Sequence, residues 1–295
     1  MWTEEIVARS GELVAERYVF AEVGLQLADL LAARAATGRY AVDTPEELAD
    51  LVTADLRSVN GDLHLRLKHH PEPIPDEPDE AAQVAMVSAQ AARTLGGVAR
   101  VDRLEGNVAH LSIAPYLFPL SMAGDALAAA LRLVAGADAL LLDLRDNRGG
   151  DPRTVSFVCG YLLDEPVHLV SMEHRDPAAT VQSWSAPWVP GPRFGGTKPL
   201  YVLTGPDTFS GAEELAYDLQ QLERARVVGA RTRGGAHPRI GFRLHPHLEL
   251  AVPVGRAVSP ITGTIWEGVG VVPDVEVPAS DALSTAHRLA LTAAG

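Results

Sequence analysis

The 295-residue chain has one cysteine, Cys159, so no internal disulfide can staple it and no multi-cysteine zinc site can form. A lone thiol fits a reducing compartment. Only two of the 25 basic residues are lysines, Lys68 and Lys198; the rest are arginines, whose pKa above ~12 bars them from general-base work. Positive charge is in deficit. The 38 acidic residues leave a net charge of −13, which excludes a global field for holding nucleic acid or an anionic membrane. Long apolar runs are missing too: stretches such as 126–131 fall far short of the ~20 residues that a membrane helix needs. Glu4 and Glu5 stand where a secretion signal would carry basic residues ahead of an apolar run, so a cytoplasmic location is expected. Aromatic residues make up only 5%, yet 47% hydrophobic and 21% charged residues are the balance of a globular chain with a sizeable core.

Residues 3–57 read as three helices, over 4–17, over 21–36 and from Thr44 onward. Val23, Leu27, Leu30 and Leu31 share one face, and Thr44-Pro45 supplies an N-cap followed by proline at the first helical position. After the Asn60-Gly61 turn, Leu63, Leu65 and Leu67 alternate with His64 and Arg66, a strand pattern that puts His64 on a polar face opposite the leucines. Residues 69–80 hold four prolines and five acids and read as a solvated linker or flap. Strands are expected at 98–104, 108–113, 140–144, 167–171, 200–203, 227–228 and 248–254, and helices over 121–134, 152–163, 211–222 and 280–293. That alternation predicts an α/β core whose buried strands are parallel at the centre. The expected domains are 1–70, helical and ending in a strand; 71–97, a Pro/acidic linker and helix; and 98–295, the α/β core.

Four segments carry chemistry. In ALLLDLRDNRGG, residues 139–150, a buried strand runs into a turn with Gly149 and Gly150. Glycines at the carboxyl end of such a strand let backbone amides approach a ligand, although a tight loop needing positive φ explains a glycine pair equally well. In LYVLTGPDTFSGAE, residues 200–213, Ser210 falls at a strand-to-helix turn where the helix dipole and free amides can stabilise negative charge. Ser210-x-x-Glu213 is also a capping box, and a cap and a nucleophile are compatible roles. The third segment is Asp62-Leu63-His64, one of ten histidines in the chain; no pair has the helical HExxH spacing, so neither a metal nor another cofactor is expected. The fourth is IWEGVGVVPD, residues 265–274, in which Glu267 alone would mean a solvated loop carboxylate.

In this order, LLLDLRDNRGG, FSGAE, VGARTRGGAHP and WEGVGVVPDVEV resemble the tail-specific (C-terminal processing) serine peptidase family over about residues 98–280. The amino-terminal part, from ERYVF to TADLRSVNGDLHLRL, with RLEGNVAHLSI after it, resembles the modules of interphotoreceptor retinoid-binding protein and their bacterial relatives. The resemblance implies a small N-terminal helical domain and a crotonase-like (ClpP-like) α/β core, with no room between His70 and Val98 for a PDZ domain. The family's usual partner for the serine is a lysine after Thr-x-Gly; here that stretch is Thr232-Arg233-Gly234-Gly235, with Gly235 in the lysine's place. Arginine cannot substitute, so a Ser-Lys dyad is not expected.

A branch resembling tricorn protease uses an upstream histidine and a distal glutamate instead. By that resemblance His64 is the general base for Ser210, Glu267 orients it, and the amides of Gly211 and of Gly149 or Gly150 form the oxyanion hole. His237, two residues beyond the missing lysine, is the competing base. The leading expectation is a serine hydrolase acting on peptides, with maturation of one dedicated substrate expected over general tail disposal. The retinoid-binding resemblance implies a second reading, a non-catalytic module for retinoid- or fatty-acid-like ligands. Nucleic-acid partners and a membrane span are not expected.

Overall fold

The computed structural model describes residues 2–75 and 80–293, so the flap reading of 69–80 falls in part, at 76–79, outside the described residues. In chain order the elements are α1 (Trp2–Arg17), α2 (Ala21–Ala36), α3 (Pro45–Arg57), β1 (Arg66–His69), α4 (Glu80–Arg93), β2 (Val98–Leu104), β3 (Val108–Ile113), α5 (Leu120–Val134) and β4 (Ala139–Asp143). There follow α6 (Pro152–Leu162), β5 (His168–His174), β6 (Val181–Trp184), β7 (Leu200–Thr204), α7 (Gly211–Gln221), β8 (Arg226–Gly229), β9 (Arg239–His245), β10 (Leu248–Pro253), β11 (Gly255–Val258), β12 (Val275–Glu276) and α8 (Ala282–Ala293). None of these helices is long and apolar enough to cross a membrane. The described residues divide into two compact units, one within 1–80, 172–181 and 237–257, the other within 81–171, 182–236 and 258–295.

In the first unit α1 and α2 pack closely because glycines meet the partner helix: a Cβ on Gly24 would come within 2.7 Å of the Val14 carbonyl. Leu27 and Leu31 are buried, with Val23 and Leu30 packed beside them, as the helical spacing requires. α3 starts where Thr44 accepts the Glu47 amide at 3.3 Å and Pro45 sets the first turn. The core continues from these helices into Leu65 and Leu67 and into Leu248, Leu250 and Val252 of β10. β10 is the centre of a three-stranded sheet, antiparallel to β1 on one side and to β9 on the other, so β1 and β9 run in the same direction.

The alternating segment at 63–67 forms a strand later than its pattern suggests. Pairing begins at Arg66, and His64 lies before it, buried rather than on an exposed polar face. Asp62 explains the delay. Its carboxylate accepts the His64 amide at 2.9 Å, a local bond that competes with ladder pairing.

The second unit is built on a six-stranded sheet in the order β12-β8-β7-β4-β3-β2. Neighbours are parallel from β12 through β3, and only β2 runs antiparallel. β4 and β7 at its centre are buried at every residue, which is why ALLLD and LYVLT read as unbroken apolar runs. Ala282, Ala286 and Ala290 of α8 pack on Leu141, Tyr201, Leu203 and Val228. A further three-stranded sheet has the order β11-β5-β6. The strands β6, β11 and β12, of four, four and two residues, are too short to be legible from pattern alone, whereas β9 alternates Ile240, Phe242 and Leu244 with polar residues and is not among the expected strands.

Candidate active site

The centre of the parallel sheet delivers two strand-to-helix turns side by side, β4 into α6 and β7 into α7. They are latched together. The Phe209 amide donates to the Asn147 carbonyl at 3.1 Å, and the Thr208 hydroxyl donates to the Leu144 carbonyl at 2.8 Å. Asn147 is fully buried and organises its own turn: its side-chain amide donates to the Ile113 carbonyl at 2.9 Å, while its side-chain oxygen accepts the Gly149 amide at 2.9 Å.

Ser210 stands at the amino end of α7 with φ 53° and ψ −122°, a left-handed conformation that a non-glycine residue adopts only when its surroundings enforce it. Such strain at a strand-to-helix turn is how a nucleophile is held out from the backbone. The three glycines named with it are its neighbours. A Cβ on Gly149 would lie 2.8 Å from the Ser210 Cβ, and one on Gly211 would lie 3.0 Å from the Gly150 carbonyl oxygen. Gly149 and Gly150 have φ of 96° and 144°, so the close approach and the backbone conformation both demand glycine. The Gly149 amide is engaged by Asn147. Gly211 is the first residue of α7, where an amide has no intrahelical acceptor.

Glu213 reaches further than a cap. One carboxylate oxygen accepts the Ser210 amide at 2.7 Å and the Gly235 amide at 2.9 Å; the other accepts the Thr232 hydroxyl and the Gly234 amide, both at 2.6 Å. A single buried carboxylate thereby ties the serine turn to the 232–235 loop. Burial pushes its pKa up from the ordinary glutamate value, against the pull of these four donors. Gly235, where the resemblance places a lysine, donates its amide to Glu213 and accepts the Trp266 indole N–H at 3.1 Å. Lys198 cannot replace that lysine as a free amine, since its ammonium donates to the Ala135 and Ala137 carbonyls. Glu267 belongs to this unit as well and accepts the Ala236 amide at 2.5 Å.

The histidines belong to the first unit. His237 Nδ1 donates to Asp62 Oδ2 at 2.7 Å, and the Tyr18 hydroxyl donates to the same oxygen at 2.9 Å. Burial raises the Asp62 pKa most strongly as a single influence, but His237, Tyr18 and the His64 amide together hold it below the ordinary aspartate value, so it is a carboxylate. A carboxylate on Nδ1 of a buried imidazole fixes its tautomer and orientation, as a base requires. His64 is tied to the same aspartate through its backbone amide.

Sequence reasoning left out Asn147 and the wider reach of Glu213, and it treated Asp62 only as part of a motif. Asn147 had a readable signal, an Asx residue two positions before a glycine in a turn. The bonds from Glu213 to residues 232–235 had none, because they span about twenty positions of chain.

A curated relative from Arabidopsis thaliana, carboxyl-terminal-processing peptidase 1, chloroplastic, is 32% identical over 149 residues, 50% of this chain and 29% of its own length. A carboxyl-terminal-processing protease of Picosynechococcus is 32% identical over 143 residues, 48% of this chain and 33% of its own. The chain thus spans about a third of the length of these relatives. The photosystem II D1 C-terminal processing protease shares the fold, with a TM-score of 0.56 at 18% identity over 99% of this chain and 98% of that one. A model described as the N-terminal domain of peptidase S41 in eukaryotic IRBP matches residues 2–95. A second model, described as peptidase family S41, matches residues 108–277, more than half of the chain, and the chain belongs to that family.

Proposed function

We propose that the chain is a serine peptidase that processes peptide or protein substrates through an acyl-enzyme on Ser210. The observation that carries this reading is the strained Ser210 at the amino end of α7, packed against Gly149, Gly150 and Gly211. Ser210 Oγ attacks the scissile carbonyl while a histidine takes its proton. The oxyanion is met by the amides of Gly150 and Gly211, since the Gly149 amide already donates to Asn147. The histidine then protonates the leaving amine, and water hydrolyses the ester.

His64 is the base in this reading, oriented by Glu267, in keeping with the tricorn-like motifs. His237 is the second reading, favoured by its 2.7 Å pairing with Asp62. The relatives are carboxyl-terminal-processing peptidases, which supports a substrate cut near its carboxyl end and disfavours a module for apolar ligands. Intact-mass spectrometry after incubation with a fluorophosphonate tests the proposal. One adduct on the unaltered protein, absent from Ser210→Ala, supports an activated serine. Loss of the adduct in His64→Ala with retention in His237→Ala assigns the base to His64, and the reverse pattern assigns it to His237. Absence of labelling in the unaltered protein, together with no cleavage of peptides bearing a free carboxyl terminus, overturns the reading.

A further inference from the structure

The loop that follows β8 sets one arginine beside the serine turn. Arg233 is exposed, and its guanidinium carbon lies 4.8 Å from the centre of the ring of Phe209, the residue before Ser210. Its backbone is fixed from three directions. The Arg233 amide donates to the Thr208 carbonyl at 3.2 Å, while the Thr232 hydroxyl before it and the Gly234 amide after it both donate to one Glu213 oxygen at 2.6 Å. Glu213 also accepts the Ser210 amide at 2.7 Å. One buried carboxylate therefore sets the positions of the serine and of the arginine together.

Stacking on an aromatic ring uses the face of a guanidinium and leaves its N–H edge open. In a chain of 38 acidic residues that edge is filled elsewhere: Arg39, Arg145, Arg239 and Arg256 each meet a carboxylate oxygen at 2.5–3.0 Å. Among the described residues the Arg233 guanidinium has no hydrogen bond and no ion pair. Arg148, one residue before Gly149, is exposed and its guanidinium is unpaired among the described residues in the same way. Each of the two turns of the candidate site thus has an arginine open to an anion.

We propose that Arg233 is a substrate-binding residue that takes a carboxylate close to the scissile bond. The proposal rests on the Ser210 peptidase reading. A guanidinium pairs with a carboxylate through two parallel N–H···O bonds, and one already held by stacking and by a fixed backbone loses little freedom in doing so. Geometry limits where that carboxylate lies. Phe209 adjoins Ser210, so covalent geometry keeps the guanidinium within about 15 Å of Ser210 Oγ. An extended peptide advances about 3.3 Å per residue, which puts the carboxylate about five residues or fewer from the bond that is cut. A peptide's own carboxyl terminus and a Glu or Asp side chain both supply the group at that range.

The test uses the full chain and three versions of one library of randomised, uncharged eight-residue peptides: with a free carboxyl terminus, with a terminal amide, and with a terminal amide on a fixed last Glu. Cleavage is read by mass spectrometry, and fluorophosphonate labelling of Ser210 is measured in parallel. The unaltered protein should cut one or both carboxylate libraries about tenfold or more faster than the plain amide. Preference for the free acid assigns the carboxylate to the terminus, and preference for the Glu amide assigns it to a side chain. Arg233→Ala should bring the ratio to about one, and Arg233→Lys should keep part of it. On the best-cut peptide the loss should fall on KM, whereas a merely structural role in the serine turn would lower kcat and slow labelling. Arg233 is exposed, and circular dichroism confirms that both variants are folded. With Ser210 labelled, equal or absent cleavage of all three libraries, or a preference that survives Arg233→Ala, overturns this proposal alone. Absence of both labelling and cleavage overturns the peptidase reading and this proposal with it.

Discussion

The turns that leave β4 and β7 are built on the same plan and serve opposite ends. Both follow a fully buried parallel strand and both open a helix, yet the first ends in two glycines and the second in a serine forced to φ 53°. Where backbone amides are to be presented, the chain removes the side chain and the strain disappears with it. Where a side chain is to be presented, the chain accepts a conformation that costs about 1–3 kcal/mol and holds it with Glu213. Helix α6, after the glycine turn, is capped conventionally by Asp151, whose side chain accepts the Arg153 amide at 2.8 Å, with Pro152 behind it. Helix α7 carries its glutamates inside instead, and Glu213 and Glu214 are both buried.

The comparison breaks most severely at Gly150. A Cβ there would overlap the Leu117 carbonyl, and φ 144° is unfavourable for any other residue. Gly150→Ala should therefore cost on the order of 5 kcal/mol in chemical denaturation, combining backbone strain with overpacking. Glu213→Ala comes next. It leaves the Ser210, Gly234 and Gly235 amides and the Thr232 hydroxyl without their acceptor, so a loss of about 3–4 kcal/mol is expected, with fluorophosphonate labelling of Ser210 slowed more than unfolding alone accounts for. A labelling rate unchanged in the folded variant would show that the glutamate supports the helix only.

Glu214 tests the buried side of α7. Its Oε1 and Oδ2 of Asp218 one turn later have no hydrogen-bond partner among the described residues. Burial, and then the charge of Asp151, pushes the Glu214 pKa up to about 8. Because the folded value lies above the unfolded one, the native state keeps a proton that the unfolded chain releases. Stability is therefore full at acid pH and falls as pH rises from the ordinary glutamate value toward 8. Glu214→Gln should flatten that fall and make the protein about 1–3 kcal/mol more stable at pH 9, read from urea midpoints at pH 5 and pH 9. The smallest effect is expected at the serine: Ser210→Gly relieves the left-handed strain and should gain about 0.5–1 kcal/mol, whereas Ser210→Ala gains nothing. If the two substitutions melt alike, the serine turn stores no strain and the contrast with the glycine turn fails.

Much of the architecture was legible because its signals are local. The helices α1 to α3, the apolar strands β4 and β7 and the two turns after them follow from spacing, caps and glycines within a dozen residues. The serine and glycines of the candidate site were legible for the same reason. β1 is displaced from its alternating pattern by one aspartate, and β9 is absent from the expected strands although Ile240, Phe242 and Leu244 alternate with polar residues, because Gly241 at its centre weakens the strand signal.

The sequence by itself determined where the candidate site lies: one serine at a helix start, a glycine pair at a strand end, and Gly235 where the resemblance places a lysine. Only the tertiary structure decided that residues 237–257 fold with the amino-terminal helices, that Asp62 holds His237, and that Glu213 fastens the serine turn to residues 232–235. The physical reason is range. Propensity and capping act over a few residues, whereas buried hydrogen bonds and strand register join segments up to 185 positions apart (Arg66 with Ala251), and nothing in either segment alone names the other.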